Sequence, residues 1–222
     1  MKKTPELVVM LTYNDLTVPN AHEIFDSCKA ARAGYWGFKE EALPLPEMQR
    51  LFRYMKDCGK TTALEVVAYT EDECMAGAET AAECGVDLLM GTVYSDALLR
   101  FAKAHGMRYL PFVGEVSERP SVLEGTAASM IKEAEDYLRR GVDGFDLLGY
   151  RYTGNAFELN RAFVSAVNAP VCIAGSVNSY ERLDEMKQIA PWSFTVGSAF
   201  FDHVFGDSFA DQINTVCEYL EK

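Results

Sequence analysis

Residues Pro170–Phe201 read PVCIAGSVNSYERLDEMKQIAPWSFTVGSAFF. Two short apolar runs, Val171–Ala174 and Phe194–Val196, each stop at a Gly-Ser pair: Gly175-Ser176 and Gly197-Ser198. Between them Leu183, Met186 and Ile189 recur at helical spacing, which predicts a helix over Tyr180–Ile189. The unit is therefore strand, Gly-Ser turn, helix, strand, Gly-Ser turn. Glycine has no Cβ, so an anion can approach its backbone closely. A turn that opens a helix adds unpaired N–H groups and the positive end of a helix dipole. Together they can hold a phosphate without Lys or Arg. In an eightfold βα barrel the loops after the seventh and eighth strands often do this, with a short extra helix after the last strand. Residues Gly197–His203 could supply that extra turn before a final helix from about Ser208. The same glycines would also suit plain tight strand exits; their recurrence one βα unit apart is what favours the phosphate reading.

Upstream the same alternation recurs, with a period of roughly 25 to 30 residues. Strands are predicted at Leu7–Leu11, Tyr35–Lys39, Thr62–Tyr69, Asp87–Gly91, Tyr109–Val113 and Gly144–Leu148. Helices are predicted at Ala21–Ala31 with Asn20 as N-cap, Pro46–Cys58, from Glu71 up to Gly85, Ser95–His105, Thr126–Arg140, Asn155–Val167 and Ser208–Leu220. Glycines follow the first five helices, where left-handed C-caps are wanted. Eight strands and eight helices in strict alternation predict a single (β/α)8 TIM barrel spanning residues 1–222, with parallel strands inside and helices outside. A doubly wound open sheet is the competing architecture, but it rarely repeats the unit eight times without a break. The long connection Gly114–Glu124, with Glu115, Arg119 and Pro120, reads as a loop on the active-site face that could act as a lid.

Composition narrows the function classes. Of 222 residues, 49% are hydrophobic and 24% charged, an ordinary globular balance with ample core. A formal charge of −12 argues against nucleic acid and against anionic membrane surfaces as partners. An anionic ligand must then be held by a local field that opposes the global one, which backbone amides can provide. The start, Met1-Lys2-Lys3-Thr4-Pro5-Glu6, shows no apolar h-region, and no stretch approaches membrane-spanning length, so a cytoplasmic protein is expected. Six cysteines (Cys28, Cys58, Cys74, Cys84, Cys172, Cys217) are scattered without metal spacing and read as free thiols in a reducing compartment. His22, His105 and His203 form no HxH or HExxH pattern, so no catalytic metal is expected. No GxGxxG or GxxxxGK[ST] occurs, and no cofactor is expected.

Strand, Gly-Ser, helix, strand, Gly-Ser-Ala-Phe, late in a small barrel, resembles the ribulose-phosphate-binding barrel superfamily. That group includes enzymes of histidine and tryptophan synthesis, ketose-phosphate epimerases, sugar-phosphate decarboxylases and small Schiff-base aldolases. The resemblance is specific over Val171–Phe201 and architectural elsewhere, and Gly175-Ser176 stands where a double glycine is usual. It implies a small phosphorylated metabolite as substrate, with Gly175, Ser176, Gly197 and Ser198 at the phosphate. Barrels of this kind often self-associate, which leaves a homo-oligomer open.

Reactive side chains in such a barrel come from the C-terminal ends of the strands. On the third strand Leu64, Val66 and Ala68 form a wholly aliphatic face suited to packing on helices, so Glu65 should point into the barrel. On the second, Trp36 and Phe38 suit the helix side, which turns Lys39 inward beside Glu65. The pair reads as a proton shuttle, as an imine-forming lysine with a partner acid, or as a structural ion pair filling the barrel mouth. Asp146 on the sixth strand would be a second interior carboxylate, catalytic or bracing a neighbour. Arg151 just beyond it could bind a substrate carboxylate or phosphate, or be an ordinary loop charge. At the first strand's exit Asn14 and Asp15 could orient a substrate hydroxyl or activate a base, or merely form a turn. The function expected is proton transfer next to the carbonyl of a phosphorylated sugar or related metabolite. A Schiff-base aldolase using Lys39, or a non-catalytic phosphometabolite binder, are the alternatives.

Overall fold

The structure, a computed structural model, describes residues 4–222; the reading of Met1-Lys2-Lys3 lies outside them. Eight strands form one parallel sheet: β1 Glu6–Met10, β2 Tyr35–Lys39, β3 Thr61–Val66, β4 Leu88–Gly91, β5 Arg108–Leu110, β6 Phe145–Leu147, β7 Val171–Ile173 and β8 Ser193–Val196. Their order is β6-β7-β8-β1-β2-β3-β4-β5, so sequence neighbours are spatial neighbours and β8 returns to β1. Between β5 and β6 no ladder forms. The seam is held by single bonds, from the Asp146 amide to the Pro111 carbonyl and from the Asp143 amide to the Tyr109 carbonyl, each 3.1 Å. The sheet thus curls into a nearly closed (β/α)8 barrel.

Eight helices alternate with the strands: α1 Ala21–Cys28, α2 Leu45–Asp57, α3 Glu71–Cys84, α4 Asp96–Ala104, α5 Ala127–Arg140, α6 Ala156–Ala166, α7 Tyr180–Ile189 and α8 Phe209–Glu221. Thr70, Ser95, Asn155, Ser179 and Ser208 cap α3, α4, α6, α7 and α8, each taking the amide three residues on. Asn20, predicted to cap α1, makes no such bond. A further short helix, Ser198–Phe201, follows β8 at the expected place.

Alternation divides each strand between two cores. Val8, Met10, Ala63, Leu88, Met90, Leu110 and Cys172 fill the barrel interior. Trp36, Phe38, Leu64, Val66, Phe145 and Leu147 face outward into the larger helix-packed core. In a closed parallel sheet both faces are dry, which is why strands such as LVVM and ALEV are almost continuously apolar.

Two connections differ from the expected loops. After β1, Thr12-Tyr13 pairs antiparallel with Leu16-Thr17 across Asn14-Asp15. The stretch Gly114–Glu124 is an antiparallel hairpin, Glu115–Ser117 against Val122–Glu124, and does not run as an open loop. Its second arm is bridged to Tyr152 through Leu123. No helix among the described residues is long and apolar enough to cross a membrane.

Candidate active site at the C-terminal mouth of the barrel

At the C-terminal ends of the strands lies an open-mouthed cavity of about 120 Å³. Lys39, Glu65, Arg151, Gly175, Ser176, Gly197 and Ser198 all line it. Two of the residues singled out from sequence do not. Asn14 is exposed on the first hairpin, and its neighbour Asp15 lines the cavity instead. Asp146 lies fully buried and does not line it.

The hairpin explains the exchange of Asn14 for Asp15. Asn14 and Asp15 both take left-handed backbone angles, φ 49° and 69°, as a two-residue hairpin turn requires and as Asn and Asp tolerate. Thr17 then ties the hairpin to the end of β2: its hydroxyl accepts the Lys39 amide at 3.0 Å and donates to the Lys39 carbonyl at 2.8 Å. This delivers the Asp15 carboxylate to the Lys39 ammonium while Asn14 turns to solvent.

Lys39 stands at the centre. Its Nζ pairs with Asp15 Oδ1 and lies 3.7 Å from Glu65 Oε1, its register partner on β3. The three side chains are only 9%, 13% and 8% exposed. Burial by itself works against the ammonium, but the charges of Glu65 and Asp15 outweigh it and hold the lysine above its ordinary value. Lys39 therefore carries its proton at neutral pH. Arg119, from the tip of the second hairpin, closes the same network: it reaches Asp15 at 3.3 Å, Glu40 at 3.3 Å and Glu41 at 2.7 Å. Ser121, two residues further along this hairpin's tip, lines the cavity and shares a 2.9 Å hydrogen bond with the Tyr69 hydroxyl.

Asp146 sits beneath this cluster, in register with Cys172 and, through it, with Ser193. Neither carboxylate oxygen has a hydrogen-bond partner among the described residues. Burial pushes its acid group well above the usual range, and the nearby Glu65 charge adds to the effect. Burial thus favours its neutral form over its ionised one.

The opposite wall is built by the two Gly-Ser turns. Gly175 and Ser176 are both left-handed, φ 91° and 73°. A Cβ on Gly175 would fall 2.7 Å from Cγ of Arg151, so only glycine lets the arginine stem cross the turn. The Ser176 carbonyl is bound by the Arg182 guanidinium, which also reaches Asn178 at 3.1 Å and lies over the Tyr150 ring. Among the described residues, the amides of Gly175, Ser176 and Val177 donate to no protein acceptor. Gly197 is needed for space of another kind, since a Cβ there would fall 2.7 Å from Thr12 Oγ1. Arg151 has no carboxylate partner among the described residues. Asp202, at the end of the short helix, lines the rim and accepts the Tyr13 hydroxyl at 3.1 Å. Among the described residues no cluster of three or more His, Cys, Asp or Glu is placed to hold a metal ion.

Sequence reasoning passed over Thr12, Ser121, Thr195 and Asp202 as lining residues. A signal existed only for Thr12: TYNDLT alternates around an Asn-Asp turn, the pattern of a short hairpin.

No protein-family model and no curated protein matches the sequence. Solved structures do match in shape. An N-acetylmannosamine-6-phosphate 2-epimerase from Clostridium perfringens superposes with a TM-score of 0.64 at 15% identity, over 87% of this chain and 86% of that one. An N-(5'-phosphoribosyl)anthranilate isomerase from Pyrococcus furiosus gives 0.68 at 11% identity, over 98% of each chain. A 4-hydroxy-2-oxoglutarate aldolase from TTHB1 gives 0.64 at 14%, over 96% and 94%. At such identities the likeness is one of fold, and in fold the chain is a (β/α)8 barrel.

Proposed function

We propose that the chain is an enzyme that moves a proton next to the carbonyl of a small phosphorylated metabolite, as an isomerase or epimerase. The observation that carries this reading is the sharing of one cavity by a charged Lys39–Glu65–Asp15 cluster and by a turn with unpaired amides. The Gly175–Val177 amides, Ser176, Gly197, Ser198 and Arg151 take the phosphate, and so fix the distance between it and the reacting carbon. Glu65 removes a proton from the carbon beside the carbonyl. The electron pair moves onto the carbonyl oxygen, where the Lys39 ammonium stabilises it. In isomerisation the Glu65 acid then returns the proton to the former carbonyl carbon while the hydroxyl proton of the first carbon passes to the former carbonyl oxygen; an epimerase would instead take its new proton from solvent on the opposite face, and Glu65 would release its own to solvent. Asp15 holds Lys39 in position, and Asp146 acts from below through Glu65.

A Schiff-base lyase needs a neutral amine, and the two carboxylates on Lys39 oppose that. A purely binding barrel is disfavoured by the open space directly above Lys39 and Glu65. The test is exchange of carbon-bound hydrogen with D2O across a panel of aldose, ketose and amino-sugar phosphates, followed by NMR. Washout from one of them, lost in Glu65→Gln and competed by inorganic phosphate, is expected. Phosphate binding without washout from any compound would leave a binder. Trapping of Lys39 by borohydride with glycolaldehyde phosphate at neutral pH would move the assignment to the aldolase.

A further inference from the structure

We propose that this site selects phosphorylated substrates whose reacting end is uncharged and turns away those that carry a carboxylate there. The inference rests on the phosphate reading above and adds the class of molecule attached to the phosphate.

The charged side chains that line the cavity are Asp15, Glu65 and Asp202 on the acidic side and Lys39 and Arg151 on the basic side. The two cations are not equivalent. The stem of Arg151 lies so close to Gly175 that a Cβ there would fall 2.7 Å from its Cγ, which places this arginine with the Gly175-Ser176 turn and the phosphate. That leaves Lys39 as the cation at the other end, and it is already shared by two carboxylates.

The surrounding network does not supply another cation. Arg119 is committed to Asp15, Glu40 and Glu41. Together Lys39 and Arg119 face four carboxylates, Asp15, Glu40, Glu41 and Glu65. If Glu40, whose burial favours its protonated form, is counted as neutral, acid still exceeds base. An ionised Asp146 beneath would only deepen the excess. A substrate carboxylate brought to Lys39 would therefore displace Asp15 or Glu65 from it, or lie against them, in a site that is nearly dry. Like charges so placed repel strongly, which is how a site rejects a near-isostere. A hydroxyl, a carbonyl or an amide meets no such opposition and can use the same carboxylates as hydrogen-bond acceptors.

The probes are glycerol 3-phosphate and 3-phosphoglycerate, which share the phosphate and differ at the far end by CH2OH against carboxylate. Inorganic phosphate serves as the reference. Calorimetric titration at one ionic strength is expected to show glycerol 3-phosphate binding about tenfold more tightly than 3-phosphoglycerate, with about fivefold as the threshold of support. In Glu65→Gln the gap should narrow while the affinity for inorganic phosphate stays unchanged; the wild-type comparison decides alone if that variant does not fold. In Arg151→Gln both ligands should weaken alike. A wild-type preference below the threshold overturns the proposal and leaves the phosphate site standing. So does an Arg151→Gln variant that loses affinity for 3-phosphoglycerate alone, since the arginine would then serve the carboxylate. If none of the three phosphates binds, the functional reading fails and the proposal falls with it.

Discussion

Replacing Lys39 with methionine probes the centre of the site through stability, with no substrate in hand. Methionine keeps most of the volume and removes the charge. What remains is Asp15 and Glu65, 13% and 8% exposed, facing each other without the ammonium between them. At 3.7 Å and an effective dielectric of about 20, the lost attraction to Glu65 alone amounts to about 4 kcal/mol. Desolvation of the lysine, which opposes its burial, returns part of this. Breaking a buried pair by removing one partner typically costs about 3–5 kcal/mol, and the lower end fits a cluster that keeps Arg119 on Asp15. Urea unfolding at pH 7 should therefore show a loss of about 3 kcal/mol, or roughly 1 M in midpoint.

The loss should be undiminished from neutral pH up to about 10.5 and shrink above it, as Lys39 of the wild type gives up its proton. Its pKa is raised above 10.5, so its contribution to wild-type stability is complete below that pH and fades only as pH climbs through the raised value. A loss under about 1 kcal/mol at pH 7, from a variant with native circular dichroism, would mean that the cluster behaves like an exposed pair, and the electrostatic account of the site would be wrong.

Three further outcomes are expected. Because Asp146 is held above its reference value of 3.8, the unfolded chain gives up that proton first, so this group makes stability fall as pH rises from about 4 through the raised value. Asp146→Asn should flatten that slope in denaturation curves taken between pH 4 and 9, and an unaltered slope would show that the carboxyl is ionised in the fold. Gly175→Ala combines a left-handed φ of 91° with a 2.7 Å clash on Arg151, for a cost of about 1–2 kcal/mol. It should also weaken inorganic phosphate about tenfold by calorimetry, and intact phosphate affinity would remove this turn from the site. Arg119→Ala frees three carboxylates and unclasps the second hairpin, so amide exchange over Glu115–Glu124 should quicken about tenfold or more. Unchanged exchange would mean that the hairpin is held by its own ladder and by Tyr152.

Much of the site could be read from side-chain alternation because each interior polar residue adjoins a large apolar one. Lys39 is flanked by Phe38, Glu65 by Leu64 and Val66, and Asp146 by Phe145 and Leu147. In each case the outer face must satisfy a helix-packed core, and the polar residue has only the barrel interior left. The helix starts were legible for a related reason: Thr70, Ser95, Ser179 and Ser208 are local signals, complete within four residues. Asn20 has the right residue type and makes no cap, because a side-chain oxygen caps only when the backbone angle aims it, and at φ −99° and ψ 28° this one does not.

What the sequence by itself determined is the eightfold alternation, the inward set of side chains on each strand and the pair of glycine turns that face one mouth. Only the tertiary structure decided which further charges join the Lys39–Glu65 pair there. Asp15 and Arg119 are 104 residues apart and share one contact, and Asp15 displaces Asn14 because a two-residue hairpin and the Thr17 tie set its direction. Whether an amide at Gly175 or a carboxyl at Asp146 finds a partner is likewise a property of the closed barrel. Hydrogen bonding and burial depend on everything that surrounds a group in space, and a linear pattern records only what adjoins it along the chain.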